Sequence, residues 1–118
     1  MDGTVTSNLK VDNLDPVQST VRAQIQGAII FGITAALHGE ITLKDGRVQQ
    51  TNFDTYQMLR MNEAPAIEVH IVQSAEPPGG MGEAGTSAIV PAVTNAIFAA
   101  TGTRVRKLPV ADQAKHVG

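Results

Sequence analysis

The sequence predicts an α+β fold in which two main helices pack on a small, mostly antiparallel sheet. Three observations give this prediction. Apolar residues recur at every fourth position from Val17 to Leu37, the Asp45-Gly46 dipeptide separates two alternating segments, and a second helical pattern runs from Ser87 to Ala100. Because 42% of the residues are hydrophobic but only 3% are aromatic, the core is expected to be aliphatic.

The first helix is predicted to begin at Asp15-Pro16, since Asp is a favoured N-cap and Pro suits the first helical position. Gly27 and Gly32 lie inside the helix, where each costs about 1 kcal/mol relative to alanine. We therefore expect both to pack closely against another backbone. Gly39 follows the last residue of the apolar stripe and is the expected C-cap.

A hairpin is predicted next. The segments Glu40–Lys44 and Arg47–Phe53 flank Asp45-Gly46, a favoured dipeptide for a two-residue type I′ turn. A further strand is predicted from Ala66 to Val72, because apolar and polar residues alternate there.

The second helix is predicted from Ser87 to Ala100, with Ser87 as the N-cap, Pro91 in the first turn and Gly102 ending it. Its expected apolar face consists of Ile89, Val93, Ala96, Ile97 and Ala100. The stripe on the first helix needs more covering surface than this chain supplies, so an exposed apolar patch and self-association are expected.

Composition excludes several functional classes. The 118 residues include no cysteine, which removes disulfides, cysteine nucleophiles and iron–sulfur ligation. A net charge of -2 with few aromatics argues against nucleic-acid binding. The longest apolar stretch, 27–37, is too short for a membrane span, and no signal peptide is recognisable. Residues 1–118 are expected to form one domain or lobe, with mobile segments at 1–15 and 110–118.

The most informative segment is the glycine-rich loop from Glu76 to Thr86, which carries a single central carboxylate, Glu83, before the second helix. Such a loop can be a surface turn in which the glycines serve geometry alone. Its G-x-G-x-x-G pattern also matches a dinucleotide fingerprint. Three features argue against a dinucleotide site. Seven residues separate Val72, the end of the predicted strand, from Gly80, and Glu83 places an anion where the phosphate would bind. The acidic residue expected about 20 positions further on is also missing, because that region is the basic segment Arg104–Lys107.

The chain resembles the C-terminal end of the molybdenum-binding large subunit of the xanthine dehydrogenase/aldehyde oxidoreductase family. The likeness is closest to the branch of the isoquinoline oxidoreductase β-subunits. Six pieces carry the resemblance in family order and spacing. They are residues Gln24–Gly32, Asn52–Tyr56, Pro65–Val69, Pro78–Gly85, Asn95–Gly102 and Arg104–Pro109.

The resemblance implies that the chain is part of a molybdenum cofactor-binding domain and that Glu83 is the catalytic base. The backbone at Gly80, Gly82, Ala84 and Gly85 is the implied contact for molybdopterin, expected in a dinucleotide form. The implied reaction is hydroxylation of a small aldehyde or an N-heteroaromatic substrate, with oxygen taken from water. In such enzymes the cofactor carries the redox step.

The implied partners are the remainder of the large subunit and a 2Fe-2S small subunit. The isolated chain is expected to be inactive and to hold no cofactor tightly. The family's Asp-Cys-Gly stretch is missing, and the chain is several times shorter than the family's large subunit. A truncated, non-catalytic relative that serves as an interaction module is therefore the alternative. The cellular location is expected to be the cytoplasm, or the periplasm if the parent protein is exported.

Overall fold

A computed structural model describes residues 16–72, 74–77 and 79–111. In chain order it contains α1 (Pro16–Leu37), β1 (Leu43–Lys44), β2 (Arg47–Val48) and α2 (Ala84–Thr101). The predicted α+β class is confirmed. The two helices pack against each other, and the sheet is a separate antiparallel hairpin rather than a layer beneath them.

Helix α1 has the predicted bounds, although the expected N-cap, Asp15, lies outside the described residues. Ile33 is buried on the predicted stripe, whereas Val17 is 64% exposed. At the other end, the Gly39 N–H donates to the carbonyl oxygens of Thr34 and Ala35 at 3.1 and 3.2 Å. Gly39 therefore closes the helix as predicted, although it does not adopt a left-handed conformation.

The hairpin turn is the predicted one. Asp45 and Gly46 have φ of 51° and 75°, the two positive values that a type I′ turn requires. The paired strands are only two residues long, shorter than predicted. Beyond them one more backbone bond forms, from the Gln49 N–H to the Thr42 carbonyl oxygen at 2.9 Å, whereas the Thr42 N–H donates to the Gln50 side-chain oxygen at 2.7 Å.

The predicted strand from Ala66 to Val72 is wrong, because this segment has no strand partner among the described residues. It lies along α1 instead. The Arg22 guanidinium donates to the Val69 carbonyl, and the Gln26 amide donates to the Ile67 carbonyl at 3.4 Å. Val69 is buried, so the alternating pattern reflects packing on a helix rather than pairing in a sheet.

Helix α2 begins at Ala84, three residues before the predicted Ser87 cap. Pro91 consequently lies in the helix interior and not in the first turn. The predicted end is confirmed: Gly102 has a left-handed φ of 73°, and its N–H donates to the Phe98 carbonyl at 2.8 Å. On the predicted apolar face, Ile89, Val93 and Ile97 are half-buried, whereas Ala96 and Ala100 are exposed.

The two helices meet at Gly32. A Cβ added there would overlap the Ile89 side chain and lie 3.0 Å from the Thr86 carbonyl oxygen. The close packing predicted for Gly32 is therefore confirmed. The interior around this crossing is small: among the described residues, the buried hydrophobic side chains are Ala28, Ile33, Ala36 and Val69.

Much apolar surface is consequently exposed, as expected from the sequence. Phe31 is 64% exposed, Phe53 is 79% exposed and α2 has no buried residue. By length and composition alone, 17–37 and 84–101 are both long and apolar enough to cross a membrane. The expectation that no stretch is long enough is therefore not upheld, but core helices of larger proteins meet the same criteria.

Candidate functional site

Glu83 is the N-cap residue of α2, directly after Gly82 in the glycine-rich loop. Its backbone carbonyl accepts the Thr86 N–H at 3.0 Å, which closes the first turn. The side chain makes no capping hydrogen bond and is exposed. Capping residues normally use a side-chain oxygen to bind the first helical N–H groups, so this carboxylate is left available for another partner.

Two contacts fix the position of Glu83 relative to α1. The Thr86 hydroxyl donates to the Ala28 carbonyl oxygen at 3.1 Å, which joins the first turn of α2 to the middle of α1. Gly85 lies so close that an added Cβ would be 3.2 Å from Ala28 Cβ and 3.3 Å from the Ile25 carbonyl oxygen. These contacts hold the backbone at Glu83 beside α1.

An open cleft of 480 Å³ lies between this first turn of α2 and α1. This volume falls within the range of small-molecule and cofactor sites. The α1 residues in the wall are spaced as one helical face, at i, i+3, i+4 and i+7. The lining residues are Gln24, Gly27, Ala28 and Phe31 from α1, and Gly82, Glu83, Thr86 and Ser87 from the loop and α2.

The structure brings two of the predicted site residues to this cleft, Glu83 and Gly82. Gly80 is exposed in the preceding loop, and Ala84 is the exposed first residue of α2. The missing side chain of Gly85 is explained by its packing on α1. Cofactor contacts at Gly80, Gly82, Ala84 and Gly85 stay predictions.

The residues at the cleft fit a bulky, flat group such as a pterin. A Cβ added at Gly27 or at Gly82 would meet no atom within 4 Å, so the backbone is open at both positions. Glycine permits this close approach of a ligand to the main chain. The Gln24 side chain supplies an amide in the same wall, with both hydrogen-bond donors and an acceptor.

The other candidate sites are weaker. Glu68 Oε1 and His70 Nε2 lie 3.0 Å apart, and the two side chains are 56% and 81% exposed, which indicates a solvent-facing pair rather than a built site. No group of three or more potential metal ligands occurs in the part of the chain that the structure describes. A second concavity of 340 Å³ beside the hairpin is lined by uncharged residues, including Ile41, Phe53 and Tyr56.

The α1 wall of the cleft is the part of the site that sequence reasoning missed. The sequence identifies these α1 residues, Gln24, Gly27 and Phe31, only as part of a helix and of a segment that resembles the family. The prediction that Gly27 packs against another backbone is wrong. Their spacing of three and four residues is legible in the sequence. Which helix face meets α2 is not, because that depends on the tertiary contact at Gly32.

Comparison with known proteins gives a consistent family. The molybdopterin cofactor-binding domain family matches residues 18–65. The beta subunit of isoquinoline 1-oxidoreductase from Brevundimonas diminuta is 39% identical over 90 residues, which are 76% of this chain and 12% of that protein. A nicotinate dehydrogenase subunit of Pseudomonas putida is 36% identical over 91 residues, which are 76% of this chain and 8% of that protein.

A third relative, the membrane-bound aldehyde dehydrogenase [pyrroloquinoline-quinone] of Gluconacetobacter polyoxogenes, is 37% identical over 89 residues. These residues are 75% of this chain and 12% of that protein. The chain therefore spans about one eighth or less of the length of these three relatives. The matched segment contains the first two resembling pieces, and the three relatives are similar over about three quarters of this chain. The chain is related to molybdenum-containing aldehyde, xanthine and isoquinoline oxidoreductase subunits, and its residues 18–65 match the molybdopterin cofactor-binding domain family.

Proposed function

We propose that this chain is the base-bearing segment of a molybdenum hydroxylase that oxidises a small aldehyde or an N-heteroaromatic compound with oxygen from water. The observation that supports it most directly is the placement of Glu83. Its carboxylate is on the wall of a ligand-sized cleft and is not used as a helix cap, in a family that binds a molybdenum cofactor.

The proposed role of Glu83 is to accept a proton from the attacking oxygen. A general base must reach the proton it removes within hydrogen-bond distance, and it must be held in place. The Thr86 hydroxyl bond to Ala28 and the contact of Gly85 with α1 supply that positioning. When bound, the molybdenum cofactor supplies the oxidation and activates the water-derived oxygen.

The remaining cleft residues are proposed to hold the cofactor. Gly82 and Gly27 leave the main chain open, and the Gln24 amide donates or accepts hydrogen bonds at the cofactor edge. The domain family supports a molybdopterin cofactor. One relative's name instead gives pyrroloquinoline quinone. We give the domain family more weight because it describes the matched segment itself, and we propose the dinucleotide form of molybdopterin.

The proposed partners are the remainder of the large subunit and a 2Fe-2S small subunit. Two relatives carry subunit designations in their names, which supports a multi-subunit assembly. The small interior around Gly32 and the lack of a buried residue in α2 agree with a segment that is completed by more protein.

The test is Glu83→Gln in the complete enzyme, isolated with the subunits that co-purify. We expect turnover to fall by about 10²- to 10⁴-fold, the usual contribution of a positioned base. Molybdenum content, measured by elemental mass spectrometry, should not change. Glu76→Gln is the matched control, because it makes the same chemical change in the preceding loop outside the cleft. Retained turnover in the Glu83 variant would refute the proposed base.

Molybdenum content and hydroxylase activity of the natural complex also decide between the proposal and the non-catalytic alternative. A natural complex that holds no molybdenum and shows no hydroxylase activity would favour an interaction module. Stoichiometric molybdenum with a larger co-purifying chain would favour the hydroxylase.

A further inference from the structure

We infer that Gly27 is the contact point between α1 and the molybdenum cofactor, so that the cofactor lies against the bare helix backbone across the cleft from Glu83. This inference rests on the proposed function and adds to it a positioning residue that forms the floor of the site. It concerns what occupies the cleft, not which group removes the proton.

The contacts that the structure describes within this chain do not account for a glycine at position 27. It lies in the middle of a 22-residue helix, where glycine is unfavourable relative to alanine. A Cβ added at this position would meet no atom within 4 Å, so no described neighbour in this chain requires a glycine there. The residue is exposed and lines the cleft.

The other glycine of the same helix gives a contrast. Gly32 is buried, and its missing side chain is required by the Ile89 side chain and the Thr86 carbonyl oxygen of α2. At Gly27 the space that a side chain would fill belongs to the cleft instead. A ligand that approaches the backbone would require the glycine in the same way as α2 requires Gly32.

The shape and lining of the cleft indicate the type of occupant. The volume of the cleft, 480 Å³, falls within the range of cofactor sites, and Phe31 and Gln24 both line it. An aromatic residue that is 64% exposed next to an open backbone favours a flat group over a flexible chain. We therefore assign the floor to the pterin-based cofactor rather than to the substrate.

The experiment uses the complete enzyme with Gly27 replaced by Ala, Val and Leu. All three residues have better helix propensity than glycine, and they increase in volume. If the cofactor rests on Gly27, molybdenum per protein falls stepwise from Ala to Leu, and we expect a loss of at least about tenfold for Leu. The thermal midpoint of the metal-free protein should stay level or rise in each variant.

Three other outcomes would overturn the inference. Full molybdenum content in Gly27→Leu would show that the floor is elsewhere. Unchanged molybdenum with a raised KM would assign the floor to the substrate. Loss of molybdenum together with a lower thermal midpoint of the metal-free protein would show a structural role. None of these results bears on the base, since Glu83→Gln is judged by turnover at unchanged molybdenum.

Discussion

The helix crossing at Gly32 permits a sharp prediction about stability. In Gly32→Ala the new Cβ would overlap Ile89 Cγ2 and lie 3.0 Å from the Thr86 carbonyl oxygen and 3.3 Å from Thr86 Cα. Ile89 Cγ2 is bonded to Cβ, so it moves only with χ1 or with the helix backbone, and χ1 of isoleucine is restricted in helices. The Thr86 contacts are with backbone atoms, so they are relieved only if the helices separate.

The magnitude follows from two opposing effects. Overpacking a tight contact costs about 1–3 kcal/mol. Replacing a helical glycine with alanine returns about 1 kcal/mol. Because backbone atoms are involved, we take the upper part of the first range and expect Gly32→Ala to lower the free energy of unfolding by about 1–2 kcal/mol. Gly27→Ala is the matched control: it meets no atom within 4 Å and should be neutral or stabilising by up to about 1 kcal/mol.

The assay is urea unfolding of the full chain, followed by far-ultraviolet circular dichroism. With a typical dependence on urea, the midpoint of Gly32→Ala should fall by about 1 M. Adding Ile89→Ala should recover part of the loss, because it removes the side chain that the new methyl overlaps. A midpoint for Gly32→Ala at or above that of the parent would refute the reasoning, as would equal losses in the Gly27 and Gly32 variants.

Two further predictions concern α1 and α2 separately. Arg22→Met removes the donor to the Val69 carbonyl and should cost about 1–3 kcal/mol. Hydrogen exchange in 66–72 should then be faster in Arg22→Met than in Gln26→Leu, because the bond from Gln26 to this segment is long. Equal exchange rates in the two variants would contradict the docking of 66–72 on α1. Gly102→Ala forces a side chain into a left-handed conformation with φ of 73°, which should cost about 1–2 kcal/mol in the free energy of unfolding. An unchanged thermal midpoint would count against it.

Residue preferences were sufficient to predict those features of the fold that depend only on residues close together in the sequence. The bounds of α1, the turn at Asp45-Gly46 and the cap at Gly102 follow from residue preferences and were predicted correctly. The start of α2 was not, because Ser87 is a better N-cap than Glu83 in isolation. The contacts of Thr86 and Gly85 with α1 extend the helix by a turn that preference alone would not give.

The remaining errors come from tertiary contacts. The alternation in 66–72 is typical of a strand, but its backbone carbonyls are bonded to the Arg22 and Gln26 side chains of α1. Gly27 and Gly32 have the same unfavourable helix propensity, so the sequence gives no reason to expect different surroundings. They differ only because α2 crosses α1 at Gly32. The candidate base was found by family likeness, whereas the α1 wall opposite it required the arrangement of the two helices.

The small interior of this chain has a consequence for its fate in the cell. With four buried hydrophobic side chains among the described residues and an α2 that is covered on one side only, the chain has a smaller stabilising core than a complete domain of its length. Without the proposed partner surfaces the two helices should open often, and cellular proteases degrade opened chains. We therefore expect this polypeptide to be degraded more slowly within the proposed assembly than on its own.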